Sequence, residues 1–249
     1  MVAFNTSIGP GWQVGPGWAI GSLPIVNSGL QLYLDAENTD SYSGSGTTWH
    51  DLSGNGNDVA MQNSGDITYT SSGGGYFSTG AQGWFSNLGP TSNIPTGSTS
   101  YTVSTWVQFP SGWTGRGYSP AMVTIGATAT YNQINDFGLD QTGYLYVNWF
   151  GTPLVTSSWT PSAPGSNWAN FVSQWDGATR KIWYNGVLQG SDTIGPTLGN
   201  TSDILIGNDY SGWSNWLNGN IGQVLIYNRA LTSAELAQNF NAVKSRYGV

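Results

Sequence analysis

The residues that could do chemistry in this chain are few, and the carboxylates come first. Hydrolysis of a glycoside needs two carboxyl groups facing each other across the sugar, one an acid and the other a base or nucleophile. Glu37 and Glu235 are the only glutamates among 249 residues. Glu235 ends the sequence Thr232-Ser-Ala-Glu235, a capping box in which hydroxyl and carboxylate satisfy each other's orphan amides. Asp35 and Glu37 are two apart and share a face if the chain is extended. The sole histidine, His50, adjoins Asp51, and neighbours in an extended chain point to opposite faces, so no Ser-His-Asp device is spelled. No cysteine is present, which excludes a thiolate zinc site, a cysteine nucleophile and any disulfide. The expectation is a protein that is not an enzyme.

Metal and sugar ligands are the next possibility. Asp51-Leu-Ser53-Gly-Asn55-Gly56-Asn57 matches the early positions of a calcium loop, but Gln62 stands where a bidentate glutamate is required. It reads instead as a glycine-rich turn whose side chains bond their own backbone. Asp136, Asn208 and Asp209 are loop-edge oxygens of the kind that suits calcium, so the cofactor expectation is none, or calcium there. Trp113, Tyr118, Trp213 and Trp216 sit among small polar residues. An indole's flat face matches the CH face of a sugar ring, and Asp209 and nearby Asn and Ser side chains supply hydrogen bonds. The same rings would equally serve to cover an edge strand or to meet a subunit.

Composition narrows the partners. The net charge is −7 with only six basic residues, which argues against nucleic acid and against anionic membranes. Charged residues are 8% of the chain, yet 13 Trp, 13 Tyr and 8 Phe supply a large core. The 36 glycines, with abundant Ser, Thr and Asn, suit many short strands joined by tight turns. The first residues lack a basic region and an apolar run, which implies an exit other than ordinary secretion, and no stretch approaches a membrane span.

The elements that must position these residues are mostly strands. Candidates run over 30–35, 57–61, 66–70, 75–78, 83–87, 101–109, 121–126, 134–139, 143–150, 168–176, 180–189, 203–208 and 221–228. Trp106, Trp149, Trp168, Trp175 and Trp183 fall within them and read as core. Gly73-Gly74-Gly75 reads as a flexible turn. One helix is predicted after Thr232, with Leu231 and Leu236 as a staple and Leu236, Phe240 and Val243 on one face. Near the start, Gly-Pro-Gly-Trp-x-(Val/Ile) is written twice over residues 9–20, and its period of six puts Trp12 and Trp18 on one side. This extended arm and linker, residues 1–28, either folds back on its own domain or docks through the two indoles on a neighbouring subunit. Residues 29–249 form the second unit.

Several segments carry a family resemblance. Gly222-Gln-Val-Leu-Ile-Tyr-Asn-Arg-Ala-Leu-Thr-Ser-Ala-Glu-Leu236, Gly29-Leu-Gln-Leu-Tyr-Leu-Asp-Ala-Glu37 and Trp49-His-Asp-Leu-Ser-Gly-Asn-Gly-Asn-Asp58 resemble the closing strand, the first strand and a turn of laminin G-like domains of the concanavalin A-like lectin/glucanase superfamily. Tyr101-Thr-Val-Ser-Thr-Trp-Val107 and Ile182-Trp-Tyr-Asn-Gly-Val187 are similar to its central strands. The resemblance implies an all-β, two-sheet antiparallel jelly-roll sandwich with one short C-terminal helix. In its pattern Leu34-Asp-Ala-Glu37 is an ordinary strand end. The doubled hexapeptide before such a domain also resembles structural proteins of marine and cyanobacterial phages. The expected role is a capsid-decoration or fibre component on the outer surface of a virion. Its partners would be other virion proteins or copies of itself, and a cell-surface glycan. The alternatives are a cellular or extracellular carbohydrate-binding module and, last, a glycoside hydrolase.

Overall fold

The computed structural model describes residues 24–89, 91–109, 120–126, 135–140, 143–149, 151–156, 167–196, 203–209 and 216–249. The first strands are β1 (Leu30–Asp35), β2 (Thr48–Trp49), β3 (Val59–Gln62), β4 (Ile67–Thr70), β5 (Tyr76–Thr79) and β6 (Trp84–Asn87). They are followed by β7 (Tyr101–Gln108), β8 (Ala121–Ile125), β9 (Asn135–Leu139), β10 (Leu145–Asn148) and β11 (Pro153–Val155). The last are β12 (Trp168–Trp175), β13 (Arg180–Tyr184), β14 (Val187–Asp192), β15 (Ile204–Ile206) and β16 (Asn220–Tyr227), before the helix α1 (Ser233–Val243).

These strands form the expected two-sheet antiparallel sandwich. Sheet A runs β14-β13-β12-β7-β16-β5-β4, and sheet B runs β11-β10-β9-β8-β15-β6-β3-β2. Strand β16 meets β5 with its first residues and β1 with the rest, so two short strands share one of its edges. Alternation sends Val103, Val107, Ile221, Val224 and Ile226 of sheet A inward against Phe85, Phe137, Val147 and Ile206 of sheet B. Trp49, Phe77 and Phe85 form an aromatic cluster there with ring centroids 4.8–5.3 Å apart. Burying such aromatic area between two sheets is the main stabilising term of a sandwich.

Strands β7, β12 and β16 are buried on both faces, because the C-terminal segment covers the outside of sheet A. Thr232 Oγ1 accepts from Glu235 N, and Glu235 Oε2 accepts from Thr232 N at 2.8 Å, so the capping box forms as predicted. Leu231 and Leu236 pack on Val172, Leu225 and Tyr227. The helix continues into a 3-10 turn, Lys244–Tyr247, which lays Tyr247 against Trp106 and Trp168. A Cβ on Gly222 would lie 1.9 Å from Tyr247 Oη, so glycine is what lets the tyrosine rest on β16. Trp106 and Trp168 are therefore buried outside the intersheet space, and Trp183 is only half-buried.

Two segments are held more tightly than their composition suggests. Gly73, Gly74 and Gly75 all take positive φ, and a Cβ on Gly75 would sit 2.5 Å from the Glu37 backbone. The segment 24–28 is held rather than loose: Val26 N donates to Asn239 Oδ1 at 2.9 Å, and Tyr227 Oη donates to Val26 O at 2.9 Å.

Candidate ligand-binding site

Strands β8, β9 and β10 place Thr124, Asp136 and Asn148 side by side in register. Their neighbours Val123, Phe137 and Val147 point into the core, so this row faces out of sheet B. Asp136 is nevertheless only 4% exposed. Its Oδ2 accepts from Tyr146 Oη at 2.5 Å. Tyr146 lies on β10 two residues before Asn148, hence on the same face. The Thr124 hydroxyl donates to Asn208 O at 3.0 Å and stands 3.5 Å from Asp136 Oδ1.

Asp209, 8% exposed, lies close enough for its charge to act on Asp136. Burial first, and then the Asp209 charge, push the Asp136 carboxyl well above the usual carboxylate range, against the pull of Tyr146 and Thr124. The Asn148 Oδ1 beside it is buried and unpartnered. Leu217 N donates to Gly207 O at 2.9 Å, so Gly207–Asp209 and Trp216–Leu217 are the two feet of one loop. Trp216 is half-buried at that base.

The structure thus brings Asp136, Asn208 and Asp209 together, with Trp216 at the same end. Trp12, Trp18, Trp113, Tyr118 and Trp213 lie outside the described residues. Tyr146 and Thr124 were missed by sequence reasoning, although the alternation Tyr144-Leu-Tyr146-Val-Asn148 marks which side chains share a face. Among the described residues no three His, Cys, Asp or Glu side chains gather to hold a metal.

Glu235, Asp35, Glu37 and Asp51 are occupied elsewhere. Glu235 pairs bidentately with Arg229 at 2.6 and 2.9 Å, and those hydrogen bonds, with the capping amide of Thr232, hold its pKa down at about 2. Arg246 bridges Asp35 and Glu37, both at 2.9 Å, while Gln223 donates to Asp35 at 3.1 Å and Tyr33 at 3.2 Å. Asp51 accepts from Tyr33 N, Ser53 N, Ser53 Oγ and Asn57 N, which closes its turn on itself. His50 is exposed and bonds Asp58 at 3.0 Å.

The sequence profile described as the concanavalin A-like lectin/glucanases superfamily, a laminin G type, matches residues 79–237. The chain belongs to this superfamily. The matched segment runs from the end of β5 into α1 and so includes every residue of the Asp136 row. No curated protein matches the sequence.

Solved structures share the superfamily fold. Domain 4 of AbnA, a GH43 extracellular arabinanase from Geobacillus stearothermophilus, in complex with arabinotriose, is 19% identical with a TM-score of 0.63, over 85% of this chain and 98% of that one. The binding domain of Paraclostridial Mosquitocidal Protein 1 is 18% identical with a TM-score of 0.64, over 87% of this chain and 52% of that one. Trypanosoma rangeli sialidase in complex with sialic acid is 15% identical with a TM-score of 0.63, over 91% of this chain and 35% of that one. The chain therefore spans about half of the mosquitocidal binding domain and about a third of the sialidase.

Proposed function

We propose that this superfamily member is a non-enzymatic, lectin-like surface domain that binds a glycan at the Asp136–Asp209–Trp216 end of sheet B. One observation carries the non-enzymatic reading: Asp35, Glu37 and Glu235 are all locked in ion pairs with Arg246 or Arg229. A carboxylate held in that way is a poor proton donor or nucleophile. The glycan reading is supported by the similarity to an arabinanase domain solved with arabinotriose. The finer proposal is a virion role, as a capsid-decoration or fibre component. The doubled Gly-Pro-Gly-Trp hexapeptide supports it by offering Trp12 and Trp18 to a neighbouring subunit, as does the scarcity of charge.

A second reading, a cellular or extracellular carbohydrate-binding module, is favoured by the kinds of protein whose domains share the fold. Two experiments decide. Mass spectrometry of purified phage particles separates the virion role from the module. A reducing-sugar assay on β-glucans, arabinan and cell-wall glycans should show no release. Release that is abolished by Asp136→Asn or Asp35→Asn would make the protein a hydrolase.

A further inference from the structure

We infer that sheet A carries a separate saccharide site, a shallow groove that takes a neutral sugar by hydrogen bonding across β4, β5 and the start of β16. Thr68, Ser78, Asn220 and Gln108 stand opposite one another on four successive strands. Their strand neighbours Ile67, Phe77, Ile221 and Val107 belong to the core, so the polar row faces outward. The groove above part of this row has a volume of about 320 Å³. It is lined by Asp66, Thr68, Ser78, Thr79, Asn218 and Asn220, with glycines between them. That volume lies at the low end of the roughly 300–1,000 Å³ typical of small-ligand sites.

The polar groups are held in place before any ligand arrives. Ser78 Oγ donates to Asn220 Oδ1 at 2.7 Å, and Asn220 Nδ2 donates to Gln108 Oε1 at 2.7 Å. These bonds fix the Asn220 amide while leaving it one further donor and one further acceptor site. The floor is pinned as well. Thr79 N and Oγ1 both donate to Gly219 O, at 2.8 and 3.0 Å, and Gly80 N donates to Asp66 O at 2.6 Å. Close backbone approach explains two of these glycines: a Cβ on Gly80 would lie 3.0 Å from Asp66 O, and one on Gly219 would lie 3.1 Å from Gln108 O. Hydroxyls and amides fixed in advance cost little ordering entropy when they meet a polyol.

Charge selects the ligand class. Among the described residues no lysine or arginine lines the groove, and Asp66 is the one charged group there. An acidic sugar would meet a carboxylate and no cation, so the site takes neutral saccharides and rejects sialylated or uronic ones. Among the described residues no aromatic ring lines it either, so the affinity rests on hydrogen bonds and is weak, on the order of millimolar.

The test is an amide chemical-shift titration of the intact protein. The probes are neutral gluco-, galacto-, manno-, arabino- and xylo-trisaccharides, with 3′-sialyllactose as the acidic one. At least one neutral probe should move the amides of Asp66, Ser78 and Asn218–Asn220, and 3′-sialyllactose should not. Thr68→Arg projects into the groove from an exposed position and should weaken that binding at least tenfold with an unchanged melting temperature. Ser78→Ala should weaken it severalfold. The inference is overturned if no neutral probe shifts these amides, if Thr68→Arg binds like the parent protein, or if 3′-sialyllactose binds there equally well. Shifts confined to Thr124, Asp136 and Asp209 would sink this groove and leave the sheet B site standing.

Discussion

The outer faces of the two sheets handle buried charge in opposite ways. Under the C-terminal segment on sheet A, the buried carboxylate of Asp35 has Arg246 across from it and accepts from Gln223 and Tyr33. On sheet B, the equally buried Asp136 has a phenol and a hydroxyl beside it and a second carboxylate, Asp209, nearby. The first arrangement offsets desolvation with an opposite charge, and removing either partner exposes the full cost. The second raises the free energy of the charged state, which proteins tolerate mainly where a site has work to do. The closure of sheet A therefore serves stability, and the Asp136 row is where the proposed ligand would bind.

Breaking the closure gives the largest effect. Arg246→Met leaves Asp35 buried without its cation and should cost about 3–5 kcal/mol, measured by urea unfolding at pH 7. A loss below about 1 kcal/mol, the size of an exposed pair, would erase the contrast between the two faces. Gly222→Ala comes next. Its new Cβ would lie 1.9 Å from Tyr247 Oη, and Tyr247 is stacked on Trp168 with ring centroids 4.4 Å apart. Such overpacking should cost about 1–3 kcal/mol, read from the same denaturation curves.

A smaller change tests the helix start. Thr232→Ala removes the oxygen that accepts from Glu235 N at 3.3 Å. The expected loss is about 0.5–2 kcal/mol, toward the lower end because Arg229 still holds Glu235. An unchanged midpoint would mean that the Arg229 pair alone fixes the helix start.

The same contrast governs what the sequence disclosed. Local signals worked where chemistry is local. The Thr232–Glu235 box and the Leu231/Leu236 staple are short-range patterns, and each forms. Strand alternation failed to show that β7 and β12 are covered on both faces, because the cover comes from α1, far along the chain. Edge strand β11, Pro153–Val155, carried no run long enough to read. At the site, Asp136, Asn208 and Asp209 were legible as oxygen donors, but Tyr146 and Thr124 join them only through the pairing of β8, β9 and β10. Arg180 is the plainest miss. It is fully buried, pairs with Asp192 and donates to Val147 O and Thr152 O across the sandwich edge, a role its surface-type residue class conceals.

Asp136→Asn should give the only effect of these that changes sign with pH. In the folded state the Asp136 carboxyl binds its proton more tightly than in the unfolded chain. Wild-type stability from this group is therefore greatest below the unfolded carboxyl pKa, about 3.9, and declines as pH rises toward the raised folded value. Asparagine removes the penalty, but it weakens the Tyr146 contact at a cost of about 0.5–1.5 kcal/mol. The variant should thus melt slightly above wild type at pH 8 and below it at pH 4, whereas Asp35→Asn should melt lower at neutral pH. A constant difference between Asp136→Asn and wild type from pH 4 to 8 would show that Asp136 carries no elevated proton affinity. Calcium sharpens the same measurement. A proton at Asp136 predicts no response to the ion, whereas an ion held by Asp136, Asn208 and Asp209 would raise the wild-type midpoint with calcium concentration and leave the variant unmoved.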